Sequence, residues 1–116
     1  MYSATEQFIA WLIGEGYVAS TYPVADSPDE FVTVERTGGG TSDMVDHPTM
    51  AIQTWAPTEA RAEEMSIEIR NALMTQSRPC GITKVSVDSG PYPYWDEDTR
   101  CPRYQIVLDC TAQLTD

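Results

Sequence analysis

Hydrophobic residues recur at spacings of three and four in two segments of the chain, and this periodicity predicts two helices. The first begins after Ser3, which forms a capping-box pattern with the glutamate three residues later, and it ends at Gly14. The second begins after Thr58 as N-cap and ends near Ser77. The face of the second helix predicted to lie on a sheet carries Ala62, Met65, Ile69, Ala72 and Leu73.

Alternating apolar and polar residues predict five strands, three of which precede the second helix. The first covers residues 17–22, and the second is the β-branched stretch "FVTVERT" that begins at Phe31. The third is "TMAIQTWA". Its alternation places Met50 and Ile52 on one face and Trp55 on the other.

Two further strands are predicted after the second helix. They are "ITKVSVDSG", with Val85 and Val87 facing inward, and "RYQIVLDCTAQL", which has the clearest alternation in the chain. The residues between the inward positions of the last strand, including Gln105, are predicted to face mostly water. The inward positions of that strand are Tyr104, Ile106, Leu108, Cys110, Ala112 and Leu114.

The predicted order of elements is α-β-β-β-α-β-β. Strands that come in runs, with helices able to cover one face of a mainly antiparallel sheet, indicate an α+β fold. We expect a two-layer sandwich of two helices on a sheet of about four to five strands. A chain of 116 residues fits one such domain, residues 1–116, with a single core.

Two segments between these elements are predicted to be loops. Residues 38–48 follow the second strand and contain three consecutive glycines, which favours a mobile hairpin loop. Residues 90–102 are predicted to be an extended loop rich in aromatic and acidic side chains, because prolines keep this segment extended.

The charge balance is strongly acidic, with seven basic residues against 18 acidic ones and a formal net charge of −11. This balance argues against binding to nucleic acid or to an anionic membrane, since such binding depends on basic residues that neutralise phosphates. Solubility alone is a sufficient reason for the acidity. The longest apolar run, Phe8 to Ile13, is shorter than the roughly 20 residues of a membrane span, and no signal peptide is expected.

The glycine run resembles a phosphate-binding loop only superficially. The lysine of a Walker loop is absent, and the acidic residues that follow would repel an anion. Asp43, Asp46 and His47 lack the spacing of a calcium loop, as do the acids from Asp96 to Asp98. We therefore predict neither a metal ligand nor a cofactor.

The three cysteines, Cys80, Cys101 and Cys110, contain no CxxC pair. An odd number without such a pair argues against a disulfide framework or a zinc site and suits a reducing compartment. Cys110 is predicted to be a small core residue. No catalytic residue is predicted, although a carboxylate pair for glycoside chemistry stays open because acids are plentiful.

Exposed aromatic residues are the most unusual feature of the chain. The segment "GPYPYWDED" carries Tyr92, Tyr94 and Trp95, and aromatic side chains flanked by charge are typical of protein interfaces. Trp95 would pack equally well over the edge of the core. Arg100 and Arg103 lie nearby and suit carboxylates of a neighbouring subunit or of the same chain. The candidate interface residues are Arg36, Gly38, Gly39, Gly40, Asp43, Asp46, Tyr92, Tyr94, Trp95, Arg100 and Arg103.

Several stretches taken together resemble a known protein family. They are "FVTVERTGGG", an Asp and a Pro ahead of "MAIQTWA", then "TEARAEEMSIEIRNAL" and "GPYPYWDEDTRCPRYQIVLDCTAQL". This run of motifs resembles the tail terminator, or tail-completion, proteins of long, non-contractile-tailed phages. The resemblance covers most of residues 31–114, and the aromatic segment "YPYWDEDTRC" departs from it.

The resemblance implies a structural virion protein that is not an enzyme. It would form a ring, usually a hexamer, that caps the tail tube, ends tube polymerisation and provides the head-docking surface. The implied partners are copies of the chain itself, the major tail tube protein and the head–tail connector proteins. Genomic DNA would pass through the ring without specific binding, and no membrane is involved.

Such a protein would be made in the host cytoplasm and located in the tail or neck of the virion. Two alternatives remain. One is another head–tail connector or neck protein, since these are close in size and layout. The other is a small ligand-binding or enzymatic α+β domain, with acids such as Asp96 and Glu97 at a pocket.

Overall fold

The computed structural model describes residues 3–22, 28–42, 44–75, 77–94 and 102–113. These residues form two helices and one mixed sheet, so the chain has an α+β fold. The elements in chain order are α1 (Ala4–Gly14), β1 (Ala19–Ser20), β2 (Phe31–Gly38), β3 (Thr41–Ser42), β4 (Val45–Asp46), β5 (Thr49–Trp55), α2 (Glu59–Thr75), β6 (Ile82–Pro93) and β7 (Arg103–Gln113).

Both predicted helices are confirmed, together with the residues that cap them. The Ser3 hydroxyl accepts a hydrogen bond from the Glu6 backbone N–H at 3.3 Å, and the Thr58 hydroxyl accepts one from the Arg61 N–H at 3.2 Å. Each cap satisfies an N–H that has no partner within the first turn of its helix. Among the described residues, neither helix is both long and apolar enough to cross a membrane.

The long strands pair in the order β2, β5, β7 and β6, and all of these pairs are antiparallel. β4 and β5 pair with successive parts of β7, and β3 pairs with β4. β1 runs parallel to β2 but contains only Ala19 and Ser20, so the predicted strand 17–22 is much shorter than expected. The chain turns here, because the Ser20 hydroxyl donates a hydrogen bond to the Tyr22 carbonyl oxygen at 2.8 Å.

The apolar core lies between the helices and one face of the sheet, which we call the helix-covered face. Ile52 sits at its centre, paired with Val34 of β2 and Ile106 of β7, and it is fully buried. The Thr54 hydroxyl ties β5 to α2 by donating a hydrogen bond to the Ala62 carbonyl oxygen at 2.7 Å. The helical side chains in this core include Phe8, Leu12, Met65, Ile69 and Leu73.

The segment 38–48, predicted to be a mobile hairpin loop, contains β3 and β4 and is called the arm below. Ser42 pairs with Val45 and Thr41 pairs with Asp46, so only two residues separate the two short strands. The two short strands of this hairpin were not predicted. Strands of two residues are too short to show an alternating pattern in the sequence. The hairpin is held by contacts within the chain.

The first residues of the predicted loop 90–102 belong to β6. Tyr92 pairs with Gln105 and Pro93 pairs with Tyr104, which makes β6 longer than expected. Residues 95–101 lie outside the described residues. Gln105 was predicted to face water but is only 8% exposed, because its side chain is held in hydrogen bonds on the outer face of the sheet, opposite the helix-covered face.

Candidate interaction surface

Three aromatic rings and a guanidinium form a stack on the outer face, which we call the aromatic column. Phe31, Trp55 and Arg103 are directly opposite one another across β2, β5 and β7, so strand register brings them together. The Phe31 and Trp55 rings stack with centroids 5.2 Å apart and planes at 13°. The Arg103 guanidinium carbon lies 4.5 Å from the Trp55 ring centroid and 4.5 Å from that of Tyr94.

The guanidinium of Arg103 is held by two aromatic rings and by a hydrogen bond. Besides its two ring contacts, its Nε donates a hydrogen bond to the Tyr94 carbonyl oxygen at 2.6 Å. The Tyr94 N–H in turn donates to the Arg103 carbonyl oxygen at 2.9 Å. Tyr94, which is 40% exposed, therefore ends the column at the surface in a defined position.

A row of polar side chains lies next to the column, and we call it the polar ladder. The Thr33 hydroxyl donates to Gln53 Oε1 at 2.9 Å, and Gln53 Nε2 donates to Gln105 Oε1 at 2.8 Å. Gln105 Nε2 donates to the Tyr92 hydroxyl oxygen. Trp55 Nε1 donates to the Thr33 hydroxyl at 3.0 Å, which links the ladder to the column. The buried amides are thus satisfied, as buried polar groups require.

The ladder runs in one direction across four strands. Each member donates to the next, from β2 through β5 and β7 to β6. The Tyr92 hydroxyl closes the row as an acceptor and keeps its own hydrogen for a further acceptor. Tyr92 and Tyr94 therefore present a donor and an aromatic ring side by side at the end of β6.

The outer face brings three of the predicted interface residues together, namely Tyr92, Tyr94 and Arg103. The predicted residues Trp95 and Arg100 lie outside the described residues. Sequence reasoning missed Phe31 and Trp55 as partners of Arg103, although the alternation of β5 had placed Trp55 on the face opposite the core.

Sequence reasoning also missed the ladder residues Thr33, Gln53 and Gln105. The available signal was the recurrence of polar residues with amide or hydroxyl groups at the outward positions of three strands. Such positions are ordinarily solvent-exposed in an antiparallel sheet, so the signal alone did not reveal their burial.

A second group of predicted residues holds the root of the arm. Arg36 NH1 and NH2 donate to the two carboxylate oxygens of Asp46, each at 2.7 Å, and Arg36 Nε donates to the Gly38 carbonyl oxygen at 3.1 Å. The Asp46 side chain is only 7% exposed. Hydrogen bonds from the guanidinium hold the pKa of Asp46 below its usual range, and those to the carboxylate raise the pKa of Arg36.

The three glycines of the arm differ in their structural roles. Gly39 has a φ of 96°, and a Cβ there would lie 1.9 Å from the His47 carbonyl oxygen, so no other residue fits. A Cβ at Gly38 or Gly40 would meet nothing within 4 Å. The Gly40 carbonyl oxygen accepts a hydrogen bond from the His47 N–H at 3.0 Å. The predicted residue Asp43 lies outside the described residues.

Those predicted interface residues that the structure describes thus form two groups, one on the outer face and one at the arm. Arg36 and Asp46 are paired with each other within the chain. Met44, between β3 and β4, is 69% exposed and places an apolar side chain at the tip of the arm.

Potential reactive groups are sparse in the described part of the chain. Burial raises the pKa of the Cys110 thiol to about 12, so this thiol stays protonated and is a core residue as predicted. Cys80 is exposed, and Cys101 lies outside the described residues. Among the described residues, no three His, Cys, Asp or Glu side chains form a group that could hold a metal ion.

No protein-family model matches the chain, and no curated protein sequence matches it significantly.

Proposed function

We propose that the chain is a structural virion protein that forms a ring at the end of a phage tail tube. The ring, a hexamer by analogy with the tail terminator proteins that the sequence resembles, ends tube polymerisation and provides the head-docking surface. Under this proposal the chain is not an enzyme. Its partners are its own copies, the major tail tube protein and the head–tail connector proteins, and it is located in the tail or neck of the virion.

The observation that carries this proposal is the outer face of the sheet. Trp, Tyr and Arg side chains dominate the energetics of protein interfaces. Here Trp55, which is only 4% exposed, holds Arg103 and through it Tyr94 in place in the isolated chain, so binding a partner at Tyr94 would cost little side-chain entropy. A rigid surface that carries aromatic side chains supports a role in docking to other proteins.

We further propose that the helices and the sheet form a two-layer sandwich. The core under the helices stabilises the fold, and the outer face of the sheet contacts partner proteins. If β2 with β3, and β4 with β5, each count as one bent strand, the order is α-β-β-β-α-β-β. The outer face and the arm then lie on different parts of the subunit. Two different surfaces that meet head to tail produce a ring when the rotation closes.

The acidity has a specific role in this proposal. With a net charge of −11 per chain, carboxylates facing the channel of a ring would repel phosphates and let genomic DNA slide through without specific binding. Replacing exposed acids such as Glu64 and Asp88 by lysine should slow genome exit if they face the channel. Unchanged ejection for every exposed acid tested in this way would refute the DNA role.

Deletion of the gene in the phage that encodes the chain tests the proposal directly. We expect electron micrographs of the lysate to show overlong tails that lack heads, because nothing would stop tube growth. Tails of normal length that fail to join heads would instead assign the chain to another position in the neck. Normal virions would refute both assignments.

A pair of tyrosine variants tests the outer face itself. Tyr94→Ala removes the exposed end of the column, whereas Tyr22→Ala removes a tyrosine that is 65% exposed and lies outside the column. We expect Tyr94→Ala to abolish capping of purified tail tubes in negative-stain images and Tyr22→Ala to leave it intact. Equal capping by both variants would exclude the outer face as the docking surface.

A further inference from the structure

An open groove lies between the end of α1 and the middle of α2, away from the outer face. Its volume is about 340 Å³, at the lower end of the range for small-ligand sites. Two aromatic residues, Trp11 and Tyr17, and two carboxylates, Glu15 and Glu68, line the groove. The apolar residues Ile69 and Ala72 also contribute to its wall.

Both aromatic side chains of the groove are held in place by hydrogen bonds at their polar ends. The Tyr17 hydroxyl donates to Glu68 Oε1 at 2.8 Å. Trp11 Nε1 donates to the Ser77 hydroxyl at 2.8 Å, and that hydroxyl donates to Glu15 Oε1 at 3.0 Å. Each carboxylate is therefore positioned through its Oε1 atom.

The groove carries an excess of negative charge. Glu68 Oε2 lies 3.5 Å from Arg61 NH1, but the same guanidinium also bonds Glu30 and Glu64. The charged side chains that line the groove are the carboxylates of Glu15 and Glu68, and Arg61, which is shared among three glutamates, offsets this charge only in part. Anionic ligands are therefore disfavoured in this groove.

We propose that the groove binds an organic cation, namely an alkylammonium or alkylguanidinium group. Aromatic rings beside carboxylates are the combination that attracts such groups, through cation–π contact and charge-assisted hydrogen bonds. The wall formed by Ile69 and Ala72 suits the aliphatic stem that carries the charge. The same chemistry is offered by a lysine or arginine side chain of a partner polypeptide and by a free amine.

Nuclear magnetic resonance on the whole ¹⁵N-labelled chain tests the proposal without any functional assay. The indole N–H signal of Trp11, one of three tryptophans, is assigned by its loss in Trp11→Phe. The probes are N-acetyl-arginine amide, N-acetyl-lysine amide and 1,4-diaminobutane, with N-acetyl-glutamine amide as the neutral control at matched ionic strength. We expect a saturable shift of the Trp11 signal with the cations and none with the neutral amide.

Two carboxylate variants and a matched control decide whether the groove is responsible. Glu15→Gln and Glu68→Gln should each weaken cation binding by about tenfold, because the amide oxygen can still accept a hydrogen bond but carries no charge. Asp88→Asn removes an exposed carboxylate on β6 and should change the affinity by less than about twofold, since distant exposed charges are screened. Because the Glu15 side chain is exposed and accepts its hydrogen bond from Ser77 at the surface, its replacement should not disturb folding.

The outcomes separate the sources of the cation. Tighter binding of the arginine or lysine amide than of 1,4-diaminobutane assigns the groove to a partner's side chain, and the reverse order assigns it to a free amine. No saturable shift with any cation would overturn the proposal. Equal weakening by Asp88→Asn and Glu68→Gln would also overturn it, because the attraction would then come from net charge alone.

Discussion

The two faces of the sheet bury their side chains by different means. On the helix-covered face, Ile52 and Ile106 are 0% exposed and belong to the apolar core. On the outer face, Thr33, Gln53 and Gln105 are 3%, 9% and 8% exposed and are joined by hydrogen bonds. Apolar burial is non-directional, whereas each buried polar atom needs a partner in one particular place.

The difference indicates a division of roles between the faces. The helix-covered face supplies most of the free energy of folding, because apolar burial is the dominant favourable contribution. The outer face contributes less net stability per group, since hydrogen bonds in the folded chain replace bonds to water. In return it fixes the positions of Trp55, Arg103 and Tyr94, on which the proposed docking role depends.

The largest effect is expected from truncation on the helix-covered face. Ile106→Ala should lower the free energy of unfolding by about 2–5 kcal/mol, because it leaves a cavity in the core. The neighbouring Val107→Ala, at a half-buried position on the outer face, should cost less than about 1.5 kcal/mol. Urea denaturation measures both, and equal losses would contradict the division between the faces.

A smaller effect is expected from breaking the polar ladder. Gln105→Leu should cost about 1–3 kcal/mol, because it leaves the Gln53 amide without its acceptor and the Tyr92 hydroxyl without its donor. The double variant Gln53→Leu/Gln105→Leu should cost less than the sum of the single variants, since both partners of one bond are then apolar. Strict additivity in a double-mutant cycle would show that the ladder does not act as a network.

The arm belongs to neither face, and its stability should depend on pH through Asp46. The pKa of this carboxyl is lower in the folded chain than its ordinary value of 3.8. Ionised Asp46 therefore adds stability above the ordinary pKa, and this contribution is lost as the pH falls through the folded pKa. Asp46→Asn should cost about 1–2 kcal/mol at pH 6 by weakening a charge-assisted hydrogen bond.

The same variant should lose less stability than the parent on acidification from pH 6 to pH 2, as followed by thermal unfolding. Arg36→Lys keeps the positive charge but not the two parallel hydrogen bonds. The pH dependence of its stability should therefore lie between those of the parent and of Asp46→Asn. If Asp46→Asn lost as much stability as the parent on this acidification, other groups would dominate the acid response.

The smallest effect is expected at Ser66, a polar residue on the helix side. Its hydroxyl is fully buried and has no hydrogen-bond partner among the described residues, unlike the amides of the ladder. Ser66→Ala should therefore raise the free energy of unfolding by up to about 1 kcal/mol. The exposed Ser89→Ala should stay within about 0.5 kcal/mol of the parent. A lower melting temperature for Ser66→Ala would mean that the hydroxyl does have a partner.

The helices and the helix-covered face were predictable because their signals are local. Ser3 and Thr58 are recognisable as caps, and the spacing of Met65 and Ile69 marks the buried side of α2. The alternation in β7 likewise placed Ile106 correctly. In each case the pattern lies within one element and does not depend on its neighbours.

The outer face and the arm were not predictable in this way because they depend on contacts between elements. Gln105 is buried by Gln53 and Tyr92, which lie on two other strands. The arm forms because Arg36 meets Asp46 and because the backbone at Gly39 approaches His47 closely. The interface role of Trp95 and Arg100 stays a prediction.

The direct opposition of residues in the column and the ladder has a consequence for how the strands align during folding. A shift of β5 by a single position would turn Gln53 towards the helices and Ile52 towards the outside, and it would separate Trp55 from both of its neighbours in the stack. A single misaligned strand would therefore lose the contacts of the column and of the ladder at the same time. The outer face therefore favours a single register of the central strands.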